Sequence, residues 1–303
     1  MDKYLQCTGG KKVEIREFAE KLREYLLGEL NEVREIRIEN VLKNNSVTLT
    51  GLVFMEKDCK VCPTIYLEEF YSKYLLGRSI TEILGDIINV YKKAYIQEDL
   101  DMSFMYSWDS VKSMVVYKLI NTEKNGELLE KIPHKEVIDL SMVFYIAVQQ
   151  YDGTIQINNN HCQMWGIDVE ELVSAAQENT PQIYPVCITD IGDIAEEIGV
   201  EKSSEMAKSV DMYILSNRYN IGGAAAMLYP GSIKMVAEKL EDDVYILPSS
   251  THEVIILPMS GQEADKLKEM VQEVNSTMVD EEDILGDSIY CYKRKNEELC
   301  VVA

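Results

Sequence analysis

Apolar residues change their spacing several times along the chain. Ile15, Phe18, Ala19, Leu22, Leu26 and Leu30 recur at three and four, so Val13 to Leu30 predicts an amphipathic helix with Glu and Arg on its other face. The period then drops to two. Arg34 to Ile38 alternates, Lys43-Asn44-Asn45-Ser46 supplies turn chemistry, and Val47 to Phe54 alternates again. That pattern predicts a β-hairpin packed under the helix, with Val47, Leu49, Gly51 and Val53 on one face of its second strand. Thr64 to Leu76 predicts a helix carrying Ile65, Tyr66, Phe70, Tyr71 and Tyr74, ended by Gly77. Aromatics at such spacing are read as packing rather than a ligand platform. Ser79-x-x-Glu82 is a capping box for the next helix, whose apolar positions are Ile80, Ile83, Leu84, Ile87, Ile88 and Tyr91.

Gln97 to Trp108 breaks the pattern and sets a boundary. Val111 to Ile120 fits either period. Val137 to Val148 is the most apolar run and predicts one or two central strands, with Asp139 its only charge. A turn at Tyr151 to Thr154 leads to a strand at Ile155 to Ile157, and Asn158 to Gly166 reads as a polar loop. Asp168-x-x-Glu171 then starts a helix expected to stop near Asn179, before Pro181. A strand at Ile183 to Ile188, a short helix at Ile191 to Ile198 and a polar loop at Glu201 to Ser209 follow.

The segment from Met212 to Pro258 reads as the organising part of the fold. It offers a strand, a turn, the small apolar run Ala224 to Leu228, and a helix opened by Pro230-Gly231-Ser232. Two buried strands, Val244 to Leu247 and Val254 to Leu257, flank Pro248-Ser249-Ser250. Such a span can bury a two-layer core. Ser260-x-x-Glu263 is expected to cap a last helix with Leu267, Met270, Val271 and Val274 inward. Asp280 to Asp283 reads as a solvated acidic turn, and Ser288 to Tyr292 with Leu299 to Val302 as a terminal hairpin.

The chain has 303 residues and a net charge of −22. Residues 1–100 hold 15 Lys and Arg against 17 Asp and Glu, whereas residues 101–303 hold 15 against 35. Between Lys135 and Lys202 there is no basic residue, while 12 acidic ones occur. Such a surface repels nucleic-acid phosphates and anionic lipid. Solubility is the plain reading. The sharper ones are attraction of a basic protein partner, or mimicry of DNA toward a DNA-binding protein. No apolar run approaches the length of a membrane span, and no signal peptide is recognisable, so a cytoplasmic address is expected. Seven scattered cysteines argue for free thiols rather than a disulfide framework.

Candidate chemistry is sparse. Cys59-Lys60-Val61-Cys62 has a spacing suited to zinc or to a redox disulfide, yet no second ligand pair accompanies it. A structural or incidental role is the plainer reading. His161-Cys162 could pair a base with a nucleophile, although neighbours on an extended segment point apart. Ser249-Ser250-Thr251-His252-Glu253 invites a hydrolase reading that fails for the same reason, because a triad gathers residues from separated segments. No H-E-x-x-H or G-x-S-x-G occurs, and Gly222-Gly223 is not a phosphate-binding pattern.

The phrases SVTLTGLVF, PTIYLEEFY, VVYKLIN, HCQMWGIDVEELVSAAQENTP, AAAMLYPG and VYILPSSTHEVIILP together resemble domain of unknown function 5688, a bacterial family mainly of gut anaerobes. The resemblance runs from about Val13 to Tyr292. The C-terminal part is distantly similar to domain of unknown function 1444. These resemblances imply a self-contained cytoplasmic protein and carry over no catalytic residue.

The expectation is therefore an α+β protein with mixed or antiparallel sheets flanked by amphipathic helices. Residues 1–12 form a frayed start, 13–100 an N-terminal subdomain and 101–303 a larger one. The leading function is a non-enzymatic binding module with an acidic face, needing no cofactor and no metal. A hydrolase using His252 and Glu253, or His161 and Cys162, is the alternative, and a DNA mimic the second.

Overall fold

The computed structural model describes residues 14–56, 62–94, 102–148, 153–197 and 211–302. The expected frayed start, Cys59 and the expected loop at Glu201 to Ser209 lie outside the described residues. The protein is α+β, and every strand pairing described is antiparallel. The chain divides into two compact units, one of residues 1–43 and 48–103, the other of residues 44–47 and 104–303.

The first unit runs α1 (Ile15–Glu29), β1 (Val33–Leu42), β2 (Thr48–Glu56), β3 (Thr64–Tyr66), α2 (Glu68–Leu75) and α3 (Ile80–Ala94). Its core joins Phe18, Leu22 and Leu26 of α1 to Leu52 and Phe54 of β2 and to Ile83, Ile87 and Tyr91 of α3. The face of β2 turned inward thus carries Leu52 and Phe54, opposite to the Val47–Val53 set. Thr64 to Tyr66 is a strand on β2 rather than the start of a helix, because pairing with an open strand edge overrides weak local preference. The Ser79/Glu82 capping box forms, with Glu82 N–H donating to Ser79 Oγ at 3.3 Å and Ser79 N–H to Glu82 Oε2 at 3.2 Å.

The second unit continues with α4 (Trp108–Val111), β4 (Val115–Asn121), α5 (Gly126–Leu129), β5 (His134–Val137), β6 (Leu140–Val148), β7 (Gly153–Gln156), α6 (Asn159–Trp165) and α7 (Val169–Ile183). Then come β8 (Val186–Asp190), α8 (Ile191–Glu197), β9 (Tyr213–Asn217), α9 (Ser232–Leu240), β10 (Val244–Leu247), β11 (Val254–Pro258), α10 (Ala264–Thr277), β12 (Tyr290–Lys293) and β13 (Glu298–Val301). One sheet has β6 at its centre, with β4 along one edge and β5 and β7 sharing the other. The second sheet has the order β13-β12-β10-β11-β9-β8.

Four local expectations are corrected here. Asn159–Trp165 forms helix α6 where a loop was expected, capped by Asn158 and closed by Gly166 at φ +70°. Helix α7 passes through Pro181 to Ile183, with Tyr184 N–H donating to Thr180 O at 2.8 Å. Glu263, without a side-chain cap bond, precedes α10 where Ser260 was expected to cap it. Of the α10 residues expected inward, Leu267 and Val271 are buried, while Met270 and Val274 are exposed.

The acidic run is also not a free turn. Asn44–Val47, between β1 and β2 in sequence, belongs to the second unit. There Asn45 Nδ2 donates to Glu281 O and Ile284 O, both at 2.7 Å, and Asn44 Nδ2 donates to Glu282 O at 2.7 Å. Asn125, fully buried, accepts from Asn45 N–H at 2.8 Å and donates to Asn121 O at 2.8 Å. Buried amides must be paired, and here the carbonyls of the acidic turn pair them. Residues 281–284 are thereby fixed.

Candidate functional site

Fixing that turn places Asp283 beside His252. Thr251 N–H donates to Asp283 O at 2.7 Å, and His252 Nε2 lies 3.1 Å from Asp283 Oδ1. On the other side of the ring, Gly222 N–H points at His252 Nδ1 at 3.4 Å. Because a backbone N–H can only donate, Nδ1 accepts and Nε2 carries the proton toward Asp283. The main chain of His252 is held too, its N–H on Ser250 Oγ at 3.0 Å and its carbonyl accepting from Ser216 Oγ at 2.7 Å. Glu253, for its part, contributes its main-chain carbonyl to Ser250 N–H at 3.1 Å.

The neighbouring glycines follow from this packing. A Cβ on Gly223 would overlap Ser216 Oγ and His252 O, and Gly222 sits at φ +57° against the Lys118 side chain. Only glycine fits both positions. A general base needs a ring nitrogen open toward the proton it removes. With Asp283 on one nitrogen and a main-chain amide on the other, His252 ties three loops together.

His161 stands in a different setting. Its Nδ1 accepts Asn158 N–H at 3.2 Å, while Asn158 Oδ1 accepts His161 N–H at 3.1 Å, so the pair forms the capping box of α6. The ring stacks on Trp165 with centroids 5.4 Å apart, and Trp165 Nε1 donates to Met105 O at 2.7 Å. Burial pushes the His161 pKa down. Burial likewise pushes the adjacent Cys162 thiol up, the reverse of what activates a nucleophilic cysteine. Cys62 is half-buried. Among the described residues, no group of three or more His, Cys, Asp and Glu could hold a metal ion.

A cleft of about 600 Å³ opens in the second unit, lined by Ala147, Val148, Gly153, Ile183, Tyr184, Tyr219 and Ile221. Its walls come from the β6 and β7 ends, the last turn of α7 and the turn after β9. Asn217, 1% exposed, shapes that turn. Its Oδ1 accepts Tyr219 N–H at 3.0 Å and Ile221 N–H at 3.3 Å, and its Nδ2 donates to Ile221 O at 2.9 Å.

Tyr184 and Tyr219 meet edge to face, with centroids 5.9 Å apart and planes at 73°. Behind them Tyr229 Oη donates to Tyr184 O at 3.2 Å, and Tyr229 meets Tyr117 edge to face at 6.3 Å. Burial raises the pKa of Tyr117, Tyr184 and Tyr229, so these three rings are uncharged. Tyr219 is 61% exposed, an amphipathic ring at the rim. A concavity of this size, with aromatic rings among polar and apolar lining in similar measure, suits a small molecule or a side chain of a partner.

None of the cleft residues was singled out by sequence pattern. The legible signal was Asn217 to Gly223, a turn rich in Asn and Gly between two apolar runs. Asp283, the partner of His252, was hidden by a separation of 31 positions along the chain.

The fold and the cleft define an α+β protein with an aromatic-walled concavity in its second unit and a fully engaged histidine beside it. Over residues 15–294 the sequence matches a family of unknown function, DUF5688, and the chain belongs to that family. No curated protein and no solved structure gives a significant match. Among the described residues, no helix is long and apolar enough to cross a membrane.

Proposed function

We propose that this protein is a non-enzymatic binding module that receives an uncharged aromatic or apolar group between Tyr184 and Tyr219. The observation that carries the reading is the cleft itself, with Tyr184 and Tyr219 among its lining residues and a rim set by Asn217. The net charge of −22 favours a basic polypeptide as the bearer of that group, because opposite charge speeds encounter and excludes acidic competitors. The hydrolase alternative loses support from the engagement of both His252 ring nitrogens and from the raised Cys162 thiol pKa.

Titration with Nile red, an uncharged aromatic dye, tests the cleft. Saturable binding by the wild type that weakens at least about tenfold in Tyr219→Ala supports the proposal, a loss of about 1.4 kcal/mol. A short peptide with one tryptophan flanked by lysines then displaces the dye, and the same peptide with glutamates does not. Equal dye binding by wild type and Tyr219→Ala overturns the assignment.

A further inference from the structure

The terminal hairpin brings together two cysteines that the sequence separates and that no function above uses. Cys291 on β12 and Cys300 on β13 are directly opposite in the antiparallel register, and their sulfurs lie 3.0 Å apart. Both are free thiols. Directly opposed residues on antiparallel strands have Cα atoms about 4.5–5.5 Å apart, inside the range a disulfide spans. Cys291 is 1% exposed, in a core with Tyr245, Leu257, Leu267, Val271 and Ile289, and Cys300 packs against the edge of that core. Two thiols already in contact need little main-chain movement to bond, unlike cysteines placed by chance.

We infer that Cys291 and Cys300 form a reversible intramolecular disulfide, with a low-molecular-weight disulfide such as oxidised glutathione as the oxidant. Cys300, the less buried thiol, attacks one sulfur of the small disulfide as its thiolate. The S–S bond of the oxidant breaks, and one small thiolate leaves and takes up a proton. Cys291 then attacks the Cys300 sulfur of the mixed disulfide and gives up its own proton, and the second small thiol departs. The protein dithiol loses two electrons and two protons, and the small disulfide becomes two thiols. Burial, which pushes the Cys291 thiol up to about 11, makes it the poorer first attacker, whereas its contact with the Cys300 sulfur places it for the second step. The bond ties β13, an edge strand with β12 as its one sheet neighbour, to the rest of the sheet. Edge strands are where local opening starts most readily.

The test exposes the folded full chain to oxidised glutathione, then unfolds it in urea with N-ethylmaleimide so that every remaining thiol is blocked, and maps the digest by mass spectrometry. The expected result is a cross-linked Cys291–Cys300 peptide, loss of both residues from the blocked fraction, and slower amide exchange at Leu299 and Val301. The variant Cys291→Ser is expected to trap glutathione on Cys300. Cys300→Ser is expected to leave Cys291 as a thiol. The inference is overturned if both cysteines of the folded wild type remain blockable, or if glutathione stays on Cys300 in the wild type as it does in Cys291→Ser.

Discussion

The two sides of the turn after β9 differ in one respect, which is how much of their chemistry is already used. On the His252 side every polar group described has a partner: both ring nitrogens, the main-chain amide and the carbonyl are engaged. On the Tyr219 side the main chain is equally well tied, through Asn217, but the Tyr184 and Tyr219 rings line a cleft. A histidine next to a carboxylate draws attention as catalytic, yet both of its ring nitrogens already have partners. The tyrosines carry no reactive group, yet theirs is the surface left for something else to cover.

Substitutions that act on one side and not the other sharpen this contrast. The largest effect belongs to Gly223→Ala, where the added methyl overlaps Ser216 Oγ and the His252 carbonyl. A cost of about 3 kcal/mol or more is expected, read as a lowered urea midpoint or a failure to fold. Asn217→Ala removes three hydrogen bonds from a buried site. It should cost about 2–3 kcal/mol and weaken Nile red binding as well, because the rim loses its template.

His252→Ala deletes the brace at a partly exposed site and should cost about 1–2 kcal/mol, with dye binding retained. A catalytic role would instead show itself as an activity lost with little change in stability.

Alkaline pH probes the wall. Tyr117, Tyr184 and Tyr229 are held neutral by burial, and Tyr145 is pushed up to about 12 from the ordinary value of 10.0. Folded values above unfolded ones mean that this stability is complete below pH 10 and is lost as pH rises toward the folded values. Each such tyrosine contributes a slope of at most about 1.4 kcal/mol per pH unit. Urea midpoints should therefore be flat up to about pH 9 and fall steeply beyond pH 10, with the tyrosinate absorbance of these four residues appearing only as the chain unfolds. Tyr219→Ala has the smallest effect on stability, within about 0.5 kcal/mol for so exposed a side chain.

What could be read in advance follows from how local each signal is. Helix α1, the β1–β2 hairpin, the Ser79/Glu82 and Asp168/Glu171 capping boxes and the Pro230-Gly231-Ser232 start of α9 all depend on residues within a few positions of each other. Each formed. Thr64 to Tyr66 became a strand because β2 offered an edge, a fact no window around Thr64 contains. The α6 capping box escaped notice because its third helical position holds His161 rather than Glu or Gln. In α10 the apolar stripe is wider than the buried seam, which takes Leu267, Val271 and the polar Asn275, so Met270 and Val274 stay outside.

The site was less legible than the fold. His252 stood out by type, but its meaning depends on Asp283 and Gly222, and Asp283 is in place because Asn44 and Asn45 hold its turn from far away in sequence. The cleft is assembled from three segments, and none of its residues is chemically unusual.

The measurement that bears most directly on this account is Nile red affinity in wild type, His252→Ala and Tyr219→Ala, each at a temperature where all three are folded. The account predicts affinity kept within about twofold in His252→Ala and lowered at least about tenfold in Tyr219→Ala. Affinity that survives Tyr219→Ala and disappears with His252 would contradict it, and would move the functional site from the cleft to the histidine.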